Sequence, residues 1–305
     1  MREDIQQFFT VRSGIRKFIV GVTVKYDAKE QPFSYKFDIG GKMKGCVQII
    51  ANCPNKTLLD DERFASLEKD KNIAFVTWIG YNPKCSLTDD LPNGDGTRHM
   101  VRCAMSIVCN ACPWVTKFKL NDASTVKCVE GVEISLANLS LFTNGKSYYE
   151  KYLHAYLHDE HMRTLYKEKV ARLSNPKEKL PLEIFKSKFN ITNEHVLSVY
   201  GKTSTYIEFA RVLKAESEEK QLNVCEIILP WLEEFVKYVL EGYTFWMYDW
   251  LIDKESIKHI PVKQWGELSD SQQVRDIIQE EFSKVRVYSL QQGGYQNGSF
   301  VLGDL

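Results

Sequence analysis

The sequence carries no net charge. Its 40 Lys and Arg residues balance 40 Asp and Glu, so no global field draws the chain toward DNA, RNA or an anionic membrane. It also lacks a local basic patch interleaved with stacking aromatics, and no nucleic-acid partner is expected. Long apolar runs are missing as well. The most apolar segment, Ile227 to Ile252, is interrupted by Glu233, Glu234, Lys237, Glu241 and Asp249, a charge density that a membrane span does not tolerate. That segment reads as an amphipathic helix, and no membrane partner is expected. The opening Met1-Arg-Glu-Asp-Ile-Gln-Gln7 is polar and does not have the apolar stretch of a secretory signal. Eight cysteines stand at irregular spacing, which without a signal segment points to reduced thiols in an intracellular, cytoplasmic protein. On that expectation the sequons Asn55-Lys-Thr57, Asn138-Leu-Ser140, Asn190-Ile-Thr192 and Asn297-Gly-Ser299 are chance occurrences. No internal repeat of fixed period is present.

What the chain does have is core material. An apolar fraction of 44% with 12% aromatic over 305 residues suffices for one large domain or two ordinary ones. Three runs alternate apolar and polar side chains, Ile15 to Tyr26, Phe33 to Ile39 and Lys44 to Ala51, separated by turn-like segments, and predict an antiparallel meander. Leu58 to Lys69 has a short helical pattern, and Asn72 to Tyr81 reads as a strand. From about Gly96 to Asn110 the periodicity is that of an amphipathic helix: Met100, Cys103, Ala104, Ile107, Val108 and Ala111 fall on one face. Trp114 to Leu120 alternates as a strand and is expected to pair in parallel with Ile73 to Ile79 through the helix, as one βαβ unit.

A further amphipathic helix is expected from near Ile134 to Thr143, resuming as Ser147 to His158. Beyond residue 160 helical patterns recur at Leu182 to Lys188, Ser204 to Ala215, Ile227 to Tyr243 and Ser269 to Phe282. The fold class expected is thus α/β (α+β): a mixed sheet in residues 1–160, a mostly helical region over 161–290, and a Gly, Gln and Asn-rich flexible tail at 291–305.

Leu91-Pro-Asn-Gly-Asp-Gly-Thr-Arg-His-Met100 joins the strand to the helix. A Gly-rich turn before a helix N-terminus is a common device for holding phosphate, since first-turn N–H groups lack intrahelical partners and carry the positive end of the macrodipole. The same residues also serve a ligand-free turn, with glycines at positive φ and Asp95 or Thr97 capping the helix.

From Ile73 to His154, the order of strand, Gly-rich turn, amphipathic helix, strand and a helix opening on Ser147-Tyr-Tyr-Glu-Lys-Tyr152 resembles the acyl-CoA-binding half of the GCN5-related N-acetyltransferase fold. Similar runs also occur in uncharacterised proteins of large DNA viruses. The resemblance implies an acetyltransferase-like βαβ core, with acetyl-CoA held on Gly94, Asp95, Gly96, Thr97 and Arg98. It also implies Tyr149 as the general acid that protonates the departing thiolate. Asp122, at the strand end Asn121-Asp-Ala-Ser124, is a candidate base for an amine or, on the plainer reading, a turn former. Pro92 stands where the family carries Arg or Gln, and Asp89, Asp90 and Asp95 crowd the phosphate position with like charge. The expectation is therefore a degenerate, non-enzymatic structural or interaction protein, of viral and virion-associated character by the same resemblance. The alternative is an acetyl-CoA-dependent N-acyltransferase using Tyr149.

Other clusters have plainer readings. His99, Cys103, Cys109, Cys112 and Cys128 include a Cys109-Asn-Ala-Cys112 spacing, but Cys109 points away from His99 around a helix and a second cysteine knuckle is missing. They are expected to be buried small hydrophobes, and no metal is expected. His154, His158 and His161, spaced four and three apart, are expected on a solvated helical face. The aromatics of Pro230-Trp231-Leu-Glu-Glu-Phe235 and Tyr243-Thr-Phe-Trp-Met-Tyr-Asp-Trp250 suit core burial. They also suit contact with a protein partner or a larger assembly through the C-terminal helices.

Overall fold

The computed structural model describes residues 4–13, 16–26, 32–40, 46–53, 72–80, 95–121, 124–129, 132–243, 245, 248–262, 268–269 and 273–276. The chain is a mixed α/β protein with a mostly helical region after the first strands. It divides into two compact units, Met1–Phe118 with Asp253–Leu305, and Lys119–Ile252. The boundary placed near residue 160 falls inside the second unit.

The first unit is built on strands β1 (Ile5–Ser13), β2 (Arg16–Tyr26), β3 (Pro32–Ile39), β4 (Val47–Asn52) and β5 (Ile73–Ile79). Each pairs antiparallel with the next, so the meander expected for β2 to β4 is present. Period-two alternation puts Val20, Val22, Val24, Tyr35, Phe37, Ile39, Val47, Ile49 and Ala51 on one buried face. Register aligns them in rows such as Val22, Phe37 and Ile49. Each such side chain removed from water stabilises by roughly 1.5–3 kcal/mol. The opposite face carries a polar ladder. Thr77 Oγ1 donates to Gln48 Oε1 at 2.9 Å, Gln48 Nε2 donates to Asp38 Oδ1 at 2.8 Å, and Lys36 pairs with Asp38 at 3.2 Å.

Strand β1 was not expected from the sequence. Its Gln6, Gln7, Phe8, Thr10 and Arg12 are exposed and few of its positions are buried, so the alternation that reveals a strand is muted there. Phe8 lies on Gly21 of the neighbouring strand: a Cβ at residue 21 would stand 3.2 Å from the Phe8 ring. A short strand, Leu268–Ser269, pairs with β1 at Arg12 and Ser13.

Helix α1 (Asp95–Ala111) buries Met100, Cys103, Ala104, Ile107, Val108 and Ala111, the face expected, and also Val101 and Met105. Arg102 Nη1 donates to the Ile260 carbonyl at 2.8 Å, and Trp114 Nε1 to that of Asn52 at 3.0 Å. The strand read as Trp114 to Leu120 begins later, as β6 (Lys117–Asn121), after a turn in which Thr116 N donates to the Asn72 carbonyl at 2.9 Å. The short helix expected at 58–69, the loop at 82–91 and the tail at 291–305 lie outside the described residues. Of 269–282, residues 273–276 are described as helical.

The second unit corrects several expectations. Strands β7 (Thr125–Val129) and β8 (Val132–Ser135) pair antiparallel where a helix was expected to begin near Ile134. Ser135 caps α2 (Leu136–Asn144), and Gly145, at φ 66, ends it. The pause at residues 144–145 was legible in Asn144-Gly145, since glycine supplies the left-handed conformation without strain. Ser147 then caps α3 (Tyr148–Leu153), which stops at His154 with φ 55, and β9 (Tyr156–Leu157) follows. The helix expected to run to His158 is therefore shorter, and Tyr156 lies in β9 rather than on α3. His154, His158 and His161 share no helical face: they lie at a helix end, beside β9, and in α4 (Glu160–Ala171).

Helices α5 (Leu182–Lys188), α6 (Glu194–Lys202), α7 (Tyr206–Glu219), α8 (Val224–Ile228) and α9 (Leu232–Val239) follow. The single helix read over Ile227 to Tyr243 is split at Pro230, which lacks the N–H a continuing helix needs. The expected continuation to Ile252 ends as strand β10 (Asp249–Asp253), where Trp250, Leu251 and Ile252 are buried in succession rather than on one stripe.

The core of this unit is aromatic. Phe142 meets Phe209, Trp231 and Phe235 edge-on at 5.5–5.8 Å, and Phe185 stacks on Tyr200 at 3.7 Å between ring centroids. Trp231, Phe235, Phe245 and Trp250 are buried, whereas Tyr243 and Tyr248 are exposed. The thiols are not all reduced. Cys128 and Cys225 form a disulfide, and Cys46 is also disulfide-bonded.

Candidate functional site

The residues singled out for acyl-CoA chemistry fall into two groups, one in each unit. In the first, Asp95 opens α1, so Asp95, Gly96, Thr97 and Arg98 form the first helical turn, whose amides have no intrahelical acceptor. Gly96 is buried, and Thr97 and Arg98 are half-buried. Gly94 lies outside the described residues. His99, one residue on, is fully buried and its Nε2 is 3.7 Å from Cys103 Sγ.

The cysteines of this unit are core side chains. Cys53, Cys103 and Cys112 are buried and Cys109 is partly so. Burial pushes the Cys109 thiol up to about 12, and raises Cys112 well above its ordinary value, with Cys109 and Cys53 adding to that shift. Such thiols stay protonated and are poor nucleophiles and ligands at neutral pH. Among the described residues no three His, Cys, Asp or Glu side chains are grouped to hold a metal ion.

In the second unit, Tyr149 stands in the first turn of α3 because Ser147 caps that helix, its Oγ accepting from Glu150 N at 3.0 Å. Only 4% of Tyr149 is exposed. Its hydroxyl and Ser124 Oγ are 2.5 Å apart and share a hydrogen bond, while the Ser124 carbonyl accepts from Leu136 N at 2.9 Å. The tyrosine hydroxyl thus ties α3 to the segment that precedes β7. Asp122 lies outside the described residues. Tyr148 packs on Tyr149 and Tyr152, with centroids 5.8 Å and 4.9 Å away.

Three further groups had no signal in the sequence, since their members are distant along the chain. Lys220 Nζ is 3.2 Å from His195 Nδ1, and His195 Nε2 is 3.4 Å from Ser217 Oγ. An ammonium only donates, so Nδ1 accepts and Nε2 carries the proton toward Ser217. His195 in that tautomer does not serve as base for Ser217, which is also fully buried.

Lys179 donates to the carbonyls of Tyr200 and Thr203 at the end of α6 and lies 4.1 Å from the Tyr200 ring centroid. Burial lowers its pKa. Arg172 pairs with Glu178 at 2.9 Å and Glu241 at 2.8 Å, and Lys169 pairs with Glu241 at 2.7 Å. Beside Arg172 an open groove of about 670 Å³ is lined by Lys188, Phe189, Asn190, Trp231 and Tyr238. A smaller cleft of about 80 Å³ is lined by Asn138, Tyr166 and Trp250 among others.

No helix among the described residues is long and apolar enough to cross a membrane. No family model matches the chain, and no curated protein or solved structure matches it.

Proposed function

We propose that this protein is a non-enzymatic structural or interaction protein built on a degenerate N-acetyltransferase-like fold, of the kind carried by large DNA viruses. The observation that carries this reading is the state of Tyr149. A general acid must reach the leaving sulfur, yet this hydroxyl is buried and hydrogen-bonded to Ser124. The acidic residues Asp89, Asp90 and Asp95 in the sequence around the turn support the same reading, as do the exposed Tyr243 and Tyr248 as partner contacts. The order β5, α1, β6 favours an acetyltransferase-like ancestry, and with it the alternative of an acetyl-CoA-dependent N-acyltransferase. A reducing, cytoplasmic setting does not suit the bond between Cys128 and Cys225.

Two measurements on the full chain test the proposal: light scattering during size exclusion, and thermal melting with acetyl-CoA. Stable self-association with a melting temperature indifferent to acetyl-CoA is expected. A monodisperse monomer stabilised by micromolar acetyl-CoA overturns the proposal in favour of the transferase.

A further inference from the structure

We propose that Asn190 carries an N-linked oligosaccharide, attached through the sequon Asn190-Ile-Thr192, which is exposed in the turn between α5 and α6. The inference starts from the cysteines. Disulfides persist in oxidising compartments, the same compartments in which Asn-x-Ser/Thr sequons meet their transferase. The Cys128–Cys225 bond and the bonded state of Cys46 therefore remove the ground for treating the sequons as chance.

Two of the four sequons lie within the described residues, and the fold treats them oppositely. Asn138 is half-buried in α2 and lines the 80 Å³ cleft, while Ser140 is 3% exposed and its hydroxyl donates to the Lys146 carbonyl at 2.8 Å. The Ser140 hydroxyl of that sequon is thus enclosed and already engaged in the fold. Asn190 and Thr192 are both exposed, in the turn between α5 and α6. That turn is firmly held: Phe189 and Ile191 on either side of Asn190 are buried, and Ile191 N donates to the Lys186 carbonyl at 3.0 Å.

Asn190 has φ 49, a left-handed conformation that asparagine tolerates better than most residues. Helix termination alone accounts for Asn190, but it does not account for Thr192. Among the described residues neither the Asn190 amide nor the Thr192 hydroxyl makes a side-chain hydrogen bond. Asn190 opens onto the groove of about 670 Å³ that contains Phe189, Trp231 and Tyr238.

In the transfer itself, Asn190 Nδ2 attacks the anomeric carbon of a lipid-diphosphate-linked oligosaccharide. The Nδ2–C1 bond forms, the C1–oxygen bond to the diphosphate breaks, one amide proton is lost to the transferase base, and the lipid diphosphate leaves. No oxidation or reduction is involved.

The test is to produce the full chain behind a cleavable export leader in animal cells and map its peptides by mass spectrometry. The digests are made with and without peptide-N-glycosidase, and without reduction. A glycan on most Asn190 peptides, a bare Asn138 and an intact Cys128–Cys225 crosslink are expected. Asn190→Gln and Thr192→Ala lose the Asn190 glycan, whereas Thr192→Ser retains it. Unchanged melting of the deglycosylated variants and their intact crosslink show that they fold. A bare Asn190 in the crosslinked protein overturns the proposal, and so does a glycan on Asn138 in folded protein. Reduced Cys128 and Cys225 in the exported protein also overturn it.

Discussion

Cys128 on β7 and Cys225 on α8 are joined with Cα atoms 5.5 Å apart, across a sequence separation of 97 residues. The bond ties a strand to a helix, and it restricts the unfolded chain of the second unit. Replacing both cysteines by serine is expected to lower stability by about 3–5 kcal/mol, because a loop of this length is released in the unfolded state. Urea denaturation of the two proteins checks this, and equal midpoints would show that the bond does not form in solution.

Removing the Tyr149 hydroxyl separates its structural role from the catalytic one. Tyr149→Phe leaves Ser124 Oγ without that hydrogen bond, which is expected to cost about 1–2 kcal/mol. A thermal melt reads the loss. Should the variant melt normally while an acetyl-transfer activity of the parent disappears, the non-enzymatic reading fails.

Phe235 touches Phe142, Phe185, Phe189, Tyr206 and Trp231 through their rings and is fully buried. Phe235→Ala is expected to destabilise by about 3–5 kcal/mol through the lost burial and the cavity left behind. Denaturant unfolding followed by tryptophan fluorescence, with Trp231 as neighbour, measures it.

Alkaline pH is expected to unfold the second unit. Burial raises the phenol pKa of Tyr206 to about 12 and pushes those of Tyr166 and Tyr200 higher still; the Glu150 carboxylate beside Tyr166 adds to its shift. An unfolded tyrosine ionises near about pH 10. Below that pH the native state keeps its full stability. Above it the unfolded chain releases protons that the native phenols retain, so stability falls as pH rises. Phenolate absorbance from these three residues is expected to appear together with loss of helical circular dichroism. Their ionisation in a fully folded protein would contradict the assignment.

Gly145 ends α2 at φ 66, and a Cβ there would approach Ile207 Cδ1 to 3.0 Å. Gly145→Ala is expected to destabilise by about 1–2 kcal/mol, from the left-handed strain. The Ile207 methyl is a flexible end and can give way. A difference in melting temperature reports it, and an unchanged value would mean that the turn adopts another conformation.

Where local pattern and burial coincide, the sequence alone determined the structure. The alternation in β2 to β4, the apolar face of α1, and the Asn144-Gly145 stop were legible because side-chain period and turn chemistry act within a few residues. So was the mixed α/β class with its helical region. Strand β1 escaped because few of its side chains are buried, which mutes the alternation that reveals a strand. Ile134, in β8, reads as a helix start because so short an apolar run suits either period, and only the partner strand decides between them. The site divides in the same way. The sequence located the start of α1 and put Tyr149 near the start of a helix, and both helices are present.

Only the tertiary structure decided what those residues do. It buried Tyr149 against Ser124, joined Cys128 to Cys225, and exposed Asn190 while enclosing Asn138. Each outcome depends on which distant segment packs against a residue, and the free energy of that packing is not written in the residue's neighbours along the chain.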